Sequence, residues 1–135
     1  MRAHLTRRYW FSASHRLHCS TMSPKRNVQT YGKCNNIHGH GHDYFIEVTV
    51  VGPVNSETGM ICNLADLDTF VNGTVIERFD HENLNMLPEF SEVVPTTENL
   101  CVEIFNILNG GFHHAAIEKV RIEETSQNSF EYTGE

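Results

Sequence analysis

The sequence has no long run of apolar residues. Of its 135 residues 39% are hydrophobic and 20% are charged, and no stretch approaches the roughly 20 apolar residues that a membrane-spanning helix needs. The N-terminal residues also lack the apolar segment and small-residue cleavage site of an export signal. We therefore expect one cytoplasmic domain, residues 1–135, with no membrane partner.

Two further absences narrow the class of protein. The four cysteines include no CxxC pair, so the spacing typical of a zinc ribbon or a redox motif is absent, and reduced thiols are expected. The formal net charge is −7, so the excess of Lys and Arg that nucleic-acid binding requires is absent. An anionic small molecule would need a local group of basic residues. The candidates for that group are Arg16, Lys25, Arg26 and Lys33.

The hydrophobic pattern predicts two strands, two helices and two strands, in that order. Alternating residues predict strands over residues 3–17, 43–52, 117–125 and 129–132. Helical spacing predicts helices over residues 63–79 and 97–108, the first capped by Asn63. Residues 18–37 are polar and are predicted to form a loop. This order is typical of an α+β domain with a four-stranded antiparallel sheet and both helices on one side.

Histidine is unusually frequent, with nine residues, and three of them alternate with glycine just before the second predicted strand. These are His38, His40 and His42. Residues two apart in an extended chain point to the same side, so two neighbouring imidazoles can bind one ion. His15, on the first strand, supplies a third ligand if the two strands pair as a hairpin. Three imidazoles and one open position are typical of catalytic zinc, so we predict a Zn²⁺ site.

The histidine pattern allows two other interpretations, a cupin metal site and a glycine-rich loop. The spacing of His40, His42 and Glu47 matches half of a cupin metal motif, but two clear helices fit an all-β barrel poorly. The second interpretation is a glycine-rich loop in which the histidines have no role in metal binding.

Glu124 is a carboxylate on an otherwise apolar strand face. It alternates with Val120 and Ile122, whereas Glu123 lies on the other face. Burial of a carboxylate is costly unless the group is paired. We therefore expect Glu124 to bind a partner or ligand and Glu123 to face solvent.

The chain resembles the 6-pyruvoyltetrahydropterin synthase family, which includes the bacterial 6-carboxytetrahydropterin synthases. The matching segments follow one another along essentially the whole chain. They are residues 11–17 (FSASHRL), 32–44, 59–67, 80–84, 95–99, 124–125 and 134–135. The resemblance implies the T-fold, a subunit of two strands, two helices and two strands that assembles as a homohexamer with active sites between subunits.

The resemblance also implies the metal ligands and the catalytic base. Zn²⁺ would be bound by His15, His40 and His42, and Cys34 would act as the base. Family members have either three or five residues between the cysteine and the histidine pair, so His38 in place of His42 stays open as an alternative.

The remaining roles are implied in the same way. His81, oriented by Asp80, would complete a proton relay with the cysteine of an adjacent subunit. Glu124 would anchor the pterin ring, and Thr96 and Thr97 would make secondary contacts with it.

The implied reaction is zinc-dependent conversion of 7,8-dihydroneopterin triphosphate to 6-pyruvoyltetrahydropterin with release of triphosphate, which is a carbon–oxygen lyase reaction. The alternative product is 6-carboxytetrahydropterin, which is formed from the same substrate with loss of acetaldehyde and used in queuosine biosynthesis. A zinc protein of this fold that binds a pterin or purine without turnover is a further alternative.

Overall fold

Two long strands pair along their whole length, and the other three strands lie on either side of this pair. The structure, a computed structural model, describes all 135 residues. The five strands are β1 (Arg2–His15), β2 (His40–Pro53), β3 (Glu82–Asn83), β4 (Ala116–Thr125) and β5 (Asn128–Tyr132). They lie in the order β3-β1-β2-β4-β5. All neighbours are antiparallel except β1 and β3, which pair in parallel.

Three helices accompany the sheet. They are α1 (Pro24–Tyr31), α2 (which begins with Leu64–Val71) and α3 (Thr97–Gly111). Helix α2 continues through a π-helical turn, Asn72–Ile76, and ends in the short α-helical segment Glu77–Phe79. Asn63 caps α2, as predicted, by accepting the N–H of Ala65. None of these helices has the length and apolar character needed to cross a membrane.

The core lies between one face of the sheet and the apolar sides of α2 and α3. On β2 the alternate residues Tyr44, Ile46, Val48 and Val50 are fully buried, as the period of two predicts. The ring of Phe11 on β1 lies 5.3 Å from that of Tyr44. The opposite face carries ion pairs such as Arg8 with Glu123. Polar residues lie on the buried face of the sheet where β1 ends and β2 begins.

The predicted loop at residues 18–37 is wrong in part, because it contains α1 and a 3₁₀ turn, Gly32–Asn35. The start of α1 has capping chemistry: Ser23 accepts the N–H of Arg26, and Pro24 follows the cap. Only Asn27 of α1 is buried, so no apolar stripe marks the helix.

The predicted four-stranded, purely antiparallel sheet with two helices also differs in detail. The fifth strand, β3, has two residues and pairs with Ala13 and Ser14. A segment this short has no periodicity, and its pairing depends on where α2 ends.

Candidate functional site

Three histidines lie together where β1 ends and β2 begins. His15 is directly opposite His40, and Ala13 is opposite His42, so all three imidazoles share one face of the hairpin. Each histidine contributes one ring nitrogen to the group, and these three nitrogens lie within 4.8 Å of one another. The Nε2 atoms of His15 and His40 are 3.0 Å apart. His38 is exposed in the turn before β2 and is outside this trio.

The surroundings of His15 suit a metal ligand. Its side chain is buried, and its Nδ1 lies 2.8 Å from the carbonyl oxygen of Pro95. A carbonyl only accepts, so Nδ1 carries the proton and Nε2 keeps its lone pair on the side of His40. Burial lowers the pKa of His15 and of His42, which favours the neutral imidazole that binds metals. Three imidazoles that converge in this way are a donor set that fits Zn²⁺.

Cys34 lies in the 3₁₀ turn Gly32–Asn35, which is tied to the end of β1. The carbonyl of Cys34 accepts the N–H of Leu17 at 2.9 Å. The thiol is half-buried and close enough to Tyr44 to contribute to the raised pKa of that phenol, after the larger effects of burial and Glu124. The structure therefore places Cys34 near the histidine trio but not within it.

Asp80 and His81 follow α2 directly and form hydrogen bonds with β1. One Asp80 oxygen accepts the N–H of Ser12 at 3.0 Å, and the other lies 3.0 Å from Nδ1 of His81. The bond from Ser12 is the largest cause of the lowered pKa of Asp80. His81 donates its own N–H to the Ser12 carbonyl and has a left-handed backbone, with φ of 60°. Its imidazole is 82% exposed, oriented by Asp80 and free at Nε2.

An open cavity of about 520 Å³ connects these two groups. Its lining includes His42 of the trio, His81 of the carboxylate–imidazole pair, and Asp43 and Glu82 beside them. Cys34 forms no hydrogen bond with His81 within one chain. The cavity thus joins the trio to the exposed imidazole but does not by itself unite all the predicted catalytic residues.

Glu124 lies near the trio at the end of β4, where the pairing with β5 shifts register. Its negative charge raises the pKa of His15 and His42, against the larger effect of burial. One of its oxygens accepts a hydrogen bond from the hydroxyl of Thr97, and the other lies 3.5 Å from the Asn128 amide nitrogen. The expected partner for this carboxylate therefore exists inside the protein.

Glu123 and Thr96 have different environments. Glu123 pairs with Arg8 at 3.2 Å on the other face of the sheet. The Thr96 hydroxyl caps α3 by accepting the N–H of Asn99 at 3.2 Å. Contact of Thr96 with a ligand stays a prediction, and its hydroxyl already has a structural role.

Sequence reasoning missed two partners of His15. The carbonyl of Pro95 has no sequence signal, because any residue carries one. The Tyr44 hydroxyl, 3.3 Å from Nδ1 of His15, could have been found, since Tyr44 follows His42 by two residues and shares its face.

Comparisons with known proteins identify the family of the chain. The family model described as 6-pyruvoyl tetrahydropterin synthase matches residues 4–135. The 6-pyruvoyl tetrahydrobiopterin synthase of Homo sapiens is 43% identical over 134 residues, covering 98% of this chain and 92% of the human protein. The synthase of the same name from Drosophila melanogaster is 43% identical over 134 residues, covering 98% and 80%.

A solved structure gives the same result. The 6-pyruvoyl tetrahydropterin synthase of Caenorhabditis elegans matches with a TM-score of 0.96 and 36% identity, covering 100% of this chain and 97% of the other. The resemblance predicted from the sequence is thereby confirmed, and the predicted fold is confirmed in outline. The chain belongs to the 6-pyruvoyl tetrahydropterin synthase family.

Proposed function

We propose that this protein is a zinc-dependent carbon–oxygen lyase that converts 7,8-dihydroneopterin triphosphate to 6-pyruvoyltetrahydropterin and releases triphosphate. The observation that carries the proposal is the trio of His15, His40 and His42 with the carboxylate of Glu124 beside it. This arrangement offers a place for a metal next to an anchor for a ring with N–H donors. The names of the human and Drosophila relatives support the product.

The metal would be held by the trio, with a position left for the substrate. Bound Zn²⁺ supplies a Lewis acid for the side-chain hydroxyls of the substrate, which favours loss of protons from the adjacent carbons. The ring nitrogen that does not bind the metal orients each imidazole through its own hydrogen bond. For His15 this nitrogen is Nδ1, which donates to the Pro95 carbonyl.

The reaction needs proton transfer but no external redox cofactor. Elimination of triphosphate removes one proton from the side chain, and a further side-chain carbon becomes a ketone as its hydrogens move to the ring. The dihydropterin thereby becomes a tetrahydropterin. We assign the base to Cys34 and a second proton-transfer role to His81, whose Nδ1 is held by Asp80.

The proposed assembly is a homohexamer with active sites between subunits. Two features of the single chain support it: the exposed imidazole of His81 and its lack of a hydrogen bond to Cys34. A second copy would bring its own Cys34 to the cavity lined by His81 and His42.

The product formed from 7,8-dihydroneopterin triphosphate distinguishes the proposed function from its two alternatives. Purified protein loaded with Zn²⁺ and incubated with 7,8-dihydroneopterin triphosphate is expected to release triphosphate and to give 6-pyruvoyltetrahydropterin by mass spectrometry. Formation of 6-carboxytetrahydropterin with acetaldehyde would replace this assignment with the alternative synthase. Absence of triphosphate release would indicate a protein that binds without turnover.

The anchoring role of Glu124 predicts a loss of pterin affinity in Glu124→Gln. A carboxylate can accept two parallel N–H donors from the pterin edge, whereas an amide sets its own N–H against one of them. A buried group left unpaired costs about 1–3 kcal/mol, so affinity should fall about ten-fold or more. Titration with a non-reactive pterin measures binding separately from chemistry.

The matched control for this experiment is Glu123→Gln. Glu123 is the neighbouring residue, but its carboxylate pairs with Arg8 on the opposite face of the sheet. The affinity of this variant should stay close to that of the unchanged protein. Equal losses in both variants, or a loss only in Glu123→Gln, would contradict the anchor assignment.

A further inference from the structure

Asn35 is the last residue of the 3₁₀ turn that contains Cys34, and its side chain binds the segment just after β1. The amide nitrogen Nδ2 lies 2.8 Å from the carbonyl oxygen of Leu17 and 3.0 Å from Nδ1 of His18. The residue is buried, with 8% of its surface exposed. A buried amide has a desolvation cost, which hydrogen bonds such as these offset.

The Leu17 carbonyl fixes the orientation of the Asn35 amide. A carbonyl can only accept a hydrogen bond, so the nitrogen of the amide, and not its oxygen, faces Leu17. The second hydrogen of that nitrogen has Nδ1 of His18 as its acceptor. An aspartate has the same shape as asparagine but would place an oxygen against the Leu17 carbonyl. Asn35→Asp therefore removes both donors while it keeps the shape of the side chain.

The backbone of the turn is bonded to the same segment. The N–H of Leu17 donates to the Cys34 carbonyl at 2.9 Å, and Nε of Arg16 donates to the Asn35 carbonyl at 3.0 Å. The two backbone groups of Leu17 are thus bound by neighbouring residues, its N–H by Cys34 and its carbonyl by the Asn35 amide. Loss of the amide would leave only one half of this pairing.

The segment that Asn35 binds continues directly from the last residue of β1, His15. The Asn85 side chain accepts the N–H of Arg16 at 2.7 Å and donates to the Arg16 carbonyl at 2.8 Å, as a neighbouring strand would. Arg16 is therefore held by Asn85, and Leu17 is held by the Cys34 turn. Since Arg16 alone separates Leu17 from His15, these bonds set the position of Cys34 relative to the histidine trio.

Resting on the proposed role of Cys34 as the base, we propose that Asn35 is a positioning residue, whose amide holds the Cys34 thiol in place by donating to Leu17 and His18. One torsion, χ1, separates the backbone of Cys34 from its sulfur, so a fixed backbone limits the sulfur to three staggered positions. A misplacement of about 1 Å at a reacting group can lower turnover about a hundred-fold. Both amide hydrogens are used within the protein, so Asn35 acts through Cys34 and not by contact with the substrate.

The test measures the kinetics of zinc-loaded variants with 7,8-dihydroneopterin triphosphate. Asn35→Asp should lower kcat about ten-fold or more. Its KM and zinc content should change by no more than about two-fold, because the trio and Glu124 are unaltered. Asn35→Ala removes the same donors without adding a charge and should lower kcat to a similar extent. A normal kcat in Asn35→Ala would show that the lost donors do not matter and would overturn the proposal.

The matched control is Asn27→Asp. Asn27 is also a buried amide, and its nitrogen lies 3.0 Å from the Cys19 carbonyl oxygen and 3.1 Å from that of Ser23. It holds the neighbouring loop and has no hydrogen bond with Cys34, so its kcat should stay within about two-fold of that of the unchanged protein. An equal fall of kcat in Asn27→Asp and Asn35→Asp would indicate a general loosening of this region and would contradict a positioning role.

A double-mutant cycle with Cys34→Ala separates this inference from the assignment on which it rests. If Asn35 acts through the thiol, adding Asn35→Asp to Cys34→Ala should lower kcat by no more than about two-fold further. A further loss of about ten-fold would show that Asn35 acts independently, and the inference would be wrong. Normal turnover in Cys34→Ala alone would refute the base assignment and the inference with it, whereas an inactive unchanged protein would refute the proposed function itself.

Discussion

Replacement of His42 by alanine is expected to remove the bound metal and, with it, all measurable turnover. Two imidazoles remain in this variant, which is too few to hold a catalytic zinc with three protein ligands. His42 is a better choice for the test than His15, because His15 is buried and bonded to Pro95, so its loss would also disturb folding. Elemental analysis of the purified protein measures the metal, and thermal unfolding verifies the fold.

The control for the metal prediction is His38→Ala. His38 is exposed and lies outside the trio, so this variant should keep both its metal and its activity. Treatment of the unchanged protein with a chelator should abolish activity, and added Zn²⁺ should restore it. An empty site in His38→Ala together with a full one in His42→Ala would show that the other histidine pair binds the metal.

Cys34→Ala is expected to lower turnover by at least about two orders of magnitude, the scale of a lost general base. Zinc content and pterin affinity should change little, because Cys34 is outside the trio and away from the hydrogen bonds of Glu124. The measurements are single-turnover kinetics with the natural substrate and titration with a non-reactive pterin.

Cys62→Ala is a matched control for the cysteine variant. Cys62 is also half-buried, but burial raises the pKa of its thiol, and it lies just before α2. Its removal should leave turnover unchanged. A weaker affinity for pterin with normal turnover in Cys34→Ala would instead identify Cys34 as a packing residue.

The arrangement of the trio follows from strand geometry and could therefore be predicted from the sequence. The period of two puts His40, His42 and Tyr44 on one side of β2. Pairing of adjacent strands as a hairpin then brings His15 opposite His40. The strand pattern also separates Glu124 from Glu123, although β4 and β5 change register there.

Other parts of the site depend on contacts between distant segments, which a local pattern does not contain. The carboxylate of Asp80 reaches the backbone of Ser12, 68 positions earlier in the chain. Thr97 and Glu124 are 27 positions apart, and their contact depends on how α3 packs on β4. Helix α1 was missed for another reason: its signals are a cap and a proline, and it has no apolar stripe.

The left-handed backbone of His81 has a consequence for the evolution of this protein. A residue with a Cβ atom loses on the order of 1 kcal/mol in that conformation, a penalty that glycine does not have. His81→Gly should therefore raise the melting temperature while it removes the imidazole. Laboratory selection for heat resistance alone would favour glycine at this position. If His81 transfers a proton as proposed, selection for turnover would favour histidine, and thermostability and activity would then oppose each other at a single residue.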